Sequence, residues 1–287
     1  MTDAPHMDRD PRRLRLLSYN IQSGLTTRKY SQYLTRSWKH LVPVPSRMSN
    51  LDGIARVLAD YDLVGLQEVD AGSLRSGFVN QVRYLANYAG FEHVFDQSNR
   101  KIGMISQHGN AVLSRIRPTV ITEHKLPGLI PGRGVLEVRF GEGPDALHVL
   151  IVHMALGRRG RLRQMGFLAE RVRDYRHVIL MGDLNCDSDS PELAVFLEVV
   201  GLREPVPGLH TFPSWRPDRQ LDHILVSRSI TVERAEVLNC TFSDHLPIVM
   251  EVRLPVAVLL PWEAVRSAPL PALGAMNLLP VDPPPTL

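Results

Sequence analysis

The sequence predicts an α/β fold in which two stacked β-sheets are covered by helices. Three observations carry that reading. Nine short apolar or alternating runs of strand length recur along the chain. Apolar residues at helical spacing lie between some of them. No apolar run approaches the roughly 20 residues needed to cross a bilayer. At 287 residues the chain can bury a sizeable core, and 44% hydrophobic with 22% charged residues is ordinary for a globular protein.

A flexible N-terminus is expected over residues 1–13; "MTDAPHMDRDPRR" has no apolar stretch of the kind a secretory signal carries. The first strand is read in "LRLLSYNI" (14–21). A basic, aromatic insertion (25–50) follows, then a helix in which Ile54, Val57 and Leu58 recur at three and four. Strands are read next in "LVGLQEV" (63–69), "AVLS" (111–114), "VLEVRF" (135–140) and "LHVLIVHM" (147–154). Leu162, Met165, Leu168, Ala169, Val172 and Tyr175 mark a second helix. "HVILMGDL" (177–184) is a strand buried on both faces, and Leu193, Phe196, Leu197 and Val200 mark a third helix. The last strands are "QLDHILVS" (220–227), "ITVERAEVL" (230–238) and "LPIVMEVRL" (246–254). Residues 255–287 hold eight of the 22 prolines and are expected either to pack as an irregular strap or to stay mobile. Within that tail, "LPVAVLLPW" (254–262) reads as a strap over the core, with a membrane or partner contact as the alternative. No internal repeat is visible.

Net charge is +3 and the basic side is lopsided, with four lysines against 29 arginines. Arginine's planar fork suits phosphate oxygens, but a coding bias accounts for the ratio equally well. Cys186 and Cys240 form neither a disulfide framework nor a zinc pattern, so a reducing, cytoplasmic setting is expected.

The polar residues that end the apolar runs share a chemistry. The first strand ends at Asn20 and the second at Glu68. The fifth reaches His153, and the sixth delivers Asp183 and Asn185. Asp222 opens the seventh, while Asp244 and His245 precede the last. Any one of these is ordinarily a turn residue, a helix cap or a surface group. Strands lying side by side would bring them to one rim, where carboxylate oxygens suit a hard cation such as Mg²⁺.

The motifs "SYNIQSG", "GLQEVD", "GNAVLSR", "VHMALG", "MGDLNCDSDSPEL", "RQLDHILVS" and "SDHLPIV", in this order over residues 14–254, resemble the endonuclease/exonuclease/phosphatase superfamily. The resemblance implies a four-layer αββα sandwich of two mixed sheets, as in pancreatic-type deoxyribonuclease. It also implies phosphoester hydrolysis by water with Mg²⁺, or Mn²⁺, as cofactor. By motif position Glu68 would be the principal metal ligand, with Asn20 beside the metal and Asp244 completing its surroundings. Asp183 would orient or deprotonate the water, and Asn185 would hold a phosphate oxygen. His245 would contact the phosphate or act as acid/base, held by Asp222. His153 would stabilise the scissile phosphate or its leaving group, and Asn110 would lie on the substrate side. Departures are Val152, where many members have Thr or Asn, and the absence of the abasic-endonuclease hallmarks in "SYNIQSG" and "LQEVD".

Two segments bear on the substrate. "ALGRRGRLRQ" (155–164) places Arg158, Arg159, Arg161 and Arg163 just after His153, at a helix start suited to an anion. The insertion mixes basic residues with Tyr30, Tyr33 and Trp38, a combination that can track a phosphate backbone and stack bases. The leading expectation is a phosphodiesterase acting on DNA or RNA. A phosphoesterase for a lipid, inositol phosphate or other small molecule is the alternative, and a catalytically idle binding domain is the third. No protein partner is expected.

Overall fold

Two six-stranded mixed sheets stack face to face between two helical layers in the computed structural model, which describes residues 10–22, 46–70, 72, 80–102, 106–128 and 133–262. In the first sheet β11 (Thr231–Val237), β12 (Ile248–Arg253), β1 (Arg13–Asn20), β2 (Leu63–Asp70), β4 (Ser106–Ser114) and β3 (His93–Ile102) lie in that order. The second sheet runs β5 (Val120–Lys125), β6 (Gly134–Phe140), β7 (Leu147–His153), β8 (His177–Asp183), β10 (Asp222–Ser227) and β9 (Leu202–Arg203). Each sheet holds one parallel pair, β1 with β2 and β7 with β8. A parallel pair needs a crossover, and helices α1 (Ser46–Leu58) and α3 (Arg158–Val172) supply the two. Helices α2 (Gln81–Ala89) and α4 (Pro191–Val200) complete the outer layers.

Side-chain alternation sorts the apolar residues into three cores. Leu14, Leu16, Val112, Val149, Ile151, Ile179, Met181, Ile224 and Met250 meet between the sheets. Leu17, Tyr19, Val64 and Leu66 point the other way, onto Leu51, Ile54, Val82 and Leu85 of α1 and α2. Leu150, Val152, Val178 and Leu180 likewise meet Met165, Leu168, Leu193 and Phe196 of α3 and α4. Gly65 lets the sheets approach, since a Cβ there would sit 2.8 Å from the Ile151 Cδ1.

The nine strands and the three helices read from sequence are all present, most with ends within a few residues of expectation. Three strands and one helix were not read. β3 and β5 carry too many polar residues to stand out, β9 has only two residues, and α2 was passed over. The expected boundary at residue 14 falls one residue inside β1, and Asp10 already pairs with Arg253 at 2.7 Å. Of the insertion, residues 25–45 lie outside the described residues and 46–50 form the start of α1. Residues 255–262 lie against the body: Val258 is buried in the inter-sheet core, and the Trp262 indole donates to the Pro11 carbonyl at 2.7 Å. Residues 263–287 are outside the described residues. No helix among the described residues is long and apolar enough to cross a membrane.

Candidate active site

Alternation decides what the strand ends present. In β1 the inward set is Leu14, Leu16, Ser18, Asn20; in β7 it is Val149, Ile151, His153. In β8 it is Ile179, Met181, Asp183, and in β10 Asp222, Ile224, Val226. The strand-terminal polar residue therefore continues the inter-sheet core and emerges at its rim. Strand register fixes their spacing: Asp183 pairs with His153 on one side and with Asp222 on the other.

Glu68 breaks this pattern. Strict alternation would send it with Val64 and Leu66 toward the helices. The β2–β4 register shifts between Leu66 and Val69, and Glu68 takes φ 57, a left-handed conformation uncommon outside glycine. This bulge re-aims its carboxylate at the rim. Asn185 adopts φ 54 just beyond β8. Gln22, just past β1, takes φ 42. Three non-glycine residues with positive φ, all at or just past strand ends that feed one site, mark conformations held by their surroundings.

The resulting constellation is compact. Asn20 Nδ2 lies 3.1 Å from Asp183 Oδ2 and 3.5 Å from Glu68 Oε1, so one amide spaces two carboxylates. The Asn20 side-chain oxygen accepts the Gln22 N–H at 3.1 Å. His153 Nε2 is 3.4 Å from Asp183 Oδ2 and 3.9 Å from Glu68 Oε1. The Asn185 N–H donates to Asp183 Oδ1 at 2.9 Å, and its side-chain amide donates to the Met154 carbonyl at 3.0 Å. Opposite stands a dyad, His245 Nδ1 to Asp222 Oδ2 at 2.7 Å. Thr211 donates to that same Asp222 oxygen at 2.6 Å, and the Phe212 ring packs on His245 with centroids 4.9 Å apart. Asp244 is tied in through Ser243, whose hydroxyl lies 3.1 Å from Asp244 Oδ1 and 2.8 Å from the Asn20 carbonyl.

Electrostatics divide the groups. Burial opposes the charge of Asp183, but the hydrogen bond and charge of His153, the charge of His245 and the Asn185 N–H hold its carboxyl well below the usual range. Burial likewise opposes an imidazolium at His245. The adjacent Asp222 carboxylate overcomes it, with Asp183 and Asp244 adding, and His245 is raised well above its ordinary value. The ion-pair state of Asp183 facing His245 is thus favoured at neutral pH.

The carboxylate oxygens of Glu68, Asp183 and Asp222 are of the kind a hard divalent ion takes. Ligand atoms of Asp183, Asp222 and His245 lie within 4.8 Å of one another, and Asp222 Oδ1 is buried without a hydrogen-bond partner. Such an orphaned anionic oxygen is costly unless a cation or water meets it. Glu68 is the open acid of the group, its side chain 32% exposed against 2% for Asp183.

Five other residues named from sequence lie elsewhere, Arg163 among them, exposed on α3. Asn110 is fully buried, and its amide donates to the Gly134 carbonyl at 2.8 Å, bracing one sheet against the other. Arg161 is buried, 2.7 Å from Glu192, and Arg158 is 3.2 Å from the same carboxylate. Arg159 is exposed at the start of α3. Sequence reasoning also missed three site residues: Thr211 and Phe212, in a loop without a periodic pattern, and Arg133, which donates through Nη1 to His153 Nε2. The "GRG" immediately before β6 was the available signal for Arg133.

The sequence profile of the Endonuclease/Exonuclease/phosphatase family matches residues 17–245. No curated protein matched the chain in sequence. Among solved structures, an endonuclease/exonuclease/phosphatase from Beutenbergia cavernae DSM 12333 superimposes with TM-score 0.66 at 22% identity, over 86% of this chain and 72% of that one. A mannosyl-6-phosphatase of Bacteroides thetaiotaomicron VPI-5482 gives TM-score 0.61 at 18% identity, over 83% and 99%. The human Nocturnin catalytic domain with bound sulfate gives 0.62 at 16%, over 85% and 95%. These structural likenesses bear on the fold, which is the same layered pair of mixed sheets. On the extent of the profile match, this chain belongs to the Endonuclease/Exonuclease/phosphatase family.

Proposed function

We propose that this protein is a divalent-metal-dependent phosphoester hydrolase, using Mg²⁺ or Mn²⁺, in which water attacks phosphorus directly. One observation carries the reading: the His245–Asp222 dyad at 2.7 Å and the Asn20–Asp183–Glu68 group meet at one rim. A phosphate brought to four acidic side chains, Glu68, Asp183, Asp222 and Asp244, is repelled unless cations offset them. A bound Mg²⁺, held by Glu68 with Asp183 near it, would supply that offset and acidify water. Asp183 then orients the attacking water by accepting its hydrogen bond. With its carboxyl held so low, Asp183 is a better orienting group than proton acceptor. His245, kept protonated by Asp222, donates from Nε2 to a phosphate or leaving-group oxygen. Asn185 carries two amide hydrogens and uses one on Met154, leaving one for a phosphate oxygen.

A nucleic-acid phosphodiester is the substrate class we favour on the arginine-rich composition and the basic, aromatic 25–50 segment. A small phosphorylated molecule is the second reading. It gains from Arg161, which is buried against Glu192 and so is not open to grip a backbone. The unpaired Cys186 and Cys240 suit the reducing, cytoplasmic setting that we assign. A panel of DNA, RNA, phosphomonoesters, inositol phosphates and phospholipids with Mg²⁺ or Mn²⁺ separates these. EDTA-sensitive nicking of nucleic acid supports the first, and turnover of a small ester with nucleic acid untouched selects the second. Equal residual activity in wild type and Asp183→Ala would point to an idle binding domain.

A further inference from the structure

We infer that Arg133 is a substrate-binding residue, whose guanidinium takes the non-bridging oxygens of the scissile phosphate and otherwise rests on His153. This rests on the phosphoesterase reading and adds to it a cationic phosphate ligand on the β5–β6 side of the site.

Three observations support it. First, Arg133 stands immediately before β6, which runs antiparallel to β7 with Val135 opposite Val152, so it rises at the same rim as His153. Its Nη1 donates to His153 Nε2, and that nitrogen is 3.4 Å from Asp183 and 3.9 Å from Glu68. Second, the backbone around it is pinned from both sheets. The Asn110 amide holds the Gly134 carbonyl at 2.8 Å, the Gln97 amide holds the Val135 carbonyl at 3.2 Å, and the Leu126 N–H holds the Arg133 carbonyl at 3.2 Å. Asn110 and Gln97 are buried, and both leave their side-chain oxygens without a partner. Burying two half-satisfied amides is costly, and here they fix the one segment that carries the arginine. Third, arginine carries only donors and a permanent charge, so at a rim lined by Glu68, Asp183, Asp222 and Asp244 it places a fixed cation beside His153, where a phosphate oxygen would be met.

A guanidinium bonds two phosphate oxygens in parallel, each bond charge-assisted. A phosphate seated beside His153 meets the Arg133 fork from the β5–β6 side, and the two side chains share its oxygens. The Asn110 side chain thus serves the substrate at one remove, by seating Arg133.

The test compares wild type, Arg133→Gln and Arg133→Lys in the full chain with Mg²⁺. The readouts are kcat and KM on whichever phosphoester of the panel the wild type hydrolyses, and the Kd of inorganic phosphate by calorimetry. Arg133 is half-buried, and thermal melting checks that each variant is folded. The inference predicts that Arg133→Gln weakens phosphate binding and lowers kcat/KM by roughly 10- to 100-fold, the worth of a charge-assisted bidentate contact. Arg133→Lys should recover part of the phosphate affinity, since it restores the charge but not the fork. An active wild type with Arg133→Gln matching it in phosphate affinity and kcat/KM overturns this inference alone. A wild type that hydrolyses no phosphoester overturns the underlying reading as well.

Discussion

Glu68 shows how much one residue's backbone can decide. Its neighbours Val64 and Leu66 face the helices, and only the bulge and φ 57 bring its carboxylate to the rim shared with Asn20 and Asp183. That turn was not legible in "LQEVD"; alternation alone reads the opposite face. Asn20, His153, Asp183 and Asp222 were legible because each continues an inward apolar series to its end. Arg133 was not, because in a chain with 29 arginines one more beside a strand carries no distinguishing signal. The roles assigned to these residues predict that His245→Ala and Glu68→Ala each lower turnover by at least ~10²-fold, the usual worth of an acid/base or charge-stabilising group. Steady-state assays on the hydrolysed phosphoester measure it, and a loss of tenfold or less means the roles are wrongly assigned. Asp222→Asn should lower kcat comparably and also lower the melting temperature, because the amide cannot sustain the buried imidazolium of His245.

At the scale of the elements, the β7–β8 pairing sets His153 opposite Asp183, and Gly182 permits it. Gly182 sits at φ 147, and a Cβ there would lie 1.9 Å from the Val152 carbonyl oxygen. Gly182→Ala is therefore expected to destabilise by about 3 kcal/mol or more through backbone strain. Urea unfolding checks this, and a loss within ~0.5 kcal/mol, an ordinary surface value, would place that backbone elsewhere.

On the far face of the same sheet, beneath α3, Glu137 lies 2.7 Å from His124 and 3.1 Å from His148. Burial opposes its charge, but hydrogen bonds from His148, Tyr175 and His124 win, and the carboxyl falls from 4.5 to about 2. The stability this supplies is complete above about pH 4.5 and is lost as pH falls toward 2; it is on the order of 3 kcal/mol. Denaturation midpoints across that window should fall less steeply in Glu137→Gln than in wild type, and parallel curves would refute the assignment. Elements with strong apolar period were legible from sequence. The helix α2 was passed over although its Asn80 cap accepts the Arg83 N–H at 3.0 Å and Gly90 ends it in a left-handed turn. β3 and β5 stayed hidden because they mix polar and apolar residues without a clean alternation.

Over the whole molecule, function depends on two sheets being held at one spacing. The inter-sheet core does this with Leu14, Ile151, Met181 and Ile224, and Gly65 allows the approach. Both parallel pairs deliver their carboxyl ends to the same rim, so Asn20 with Glu68 from one sheet face His153 with Asp183 from the other. The layered fold was legible in the recurring apolar runs. The substrate was not, because what surrounds the rim is set by loops without periodic pattern. The most direct measurement of the central claim is phosphoester hydrolysis by wild type and Asp183→Asn, each assayed with Mg²⁺, with EDTA, and with Mg²⁺ restored. Turnover by the wild type that EDTA abolishes and Mg²⁺ restores, with a loss of at least ~10²-fold in Asp183→Asn, is the predicted result. Turnover that survives EDTA, or that is equal in the two proteins, would contradict it.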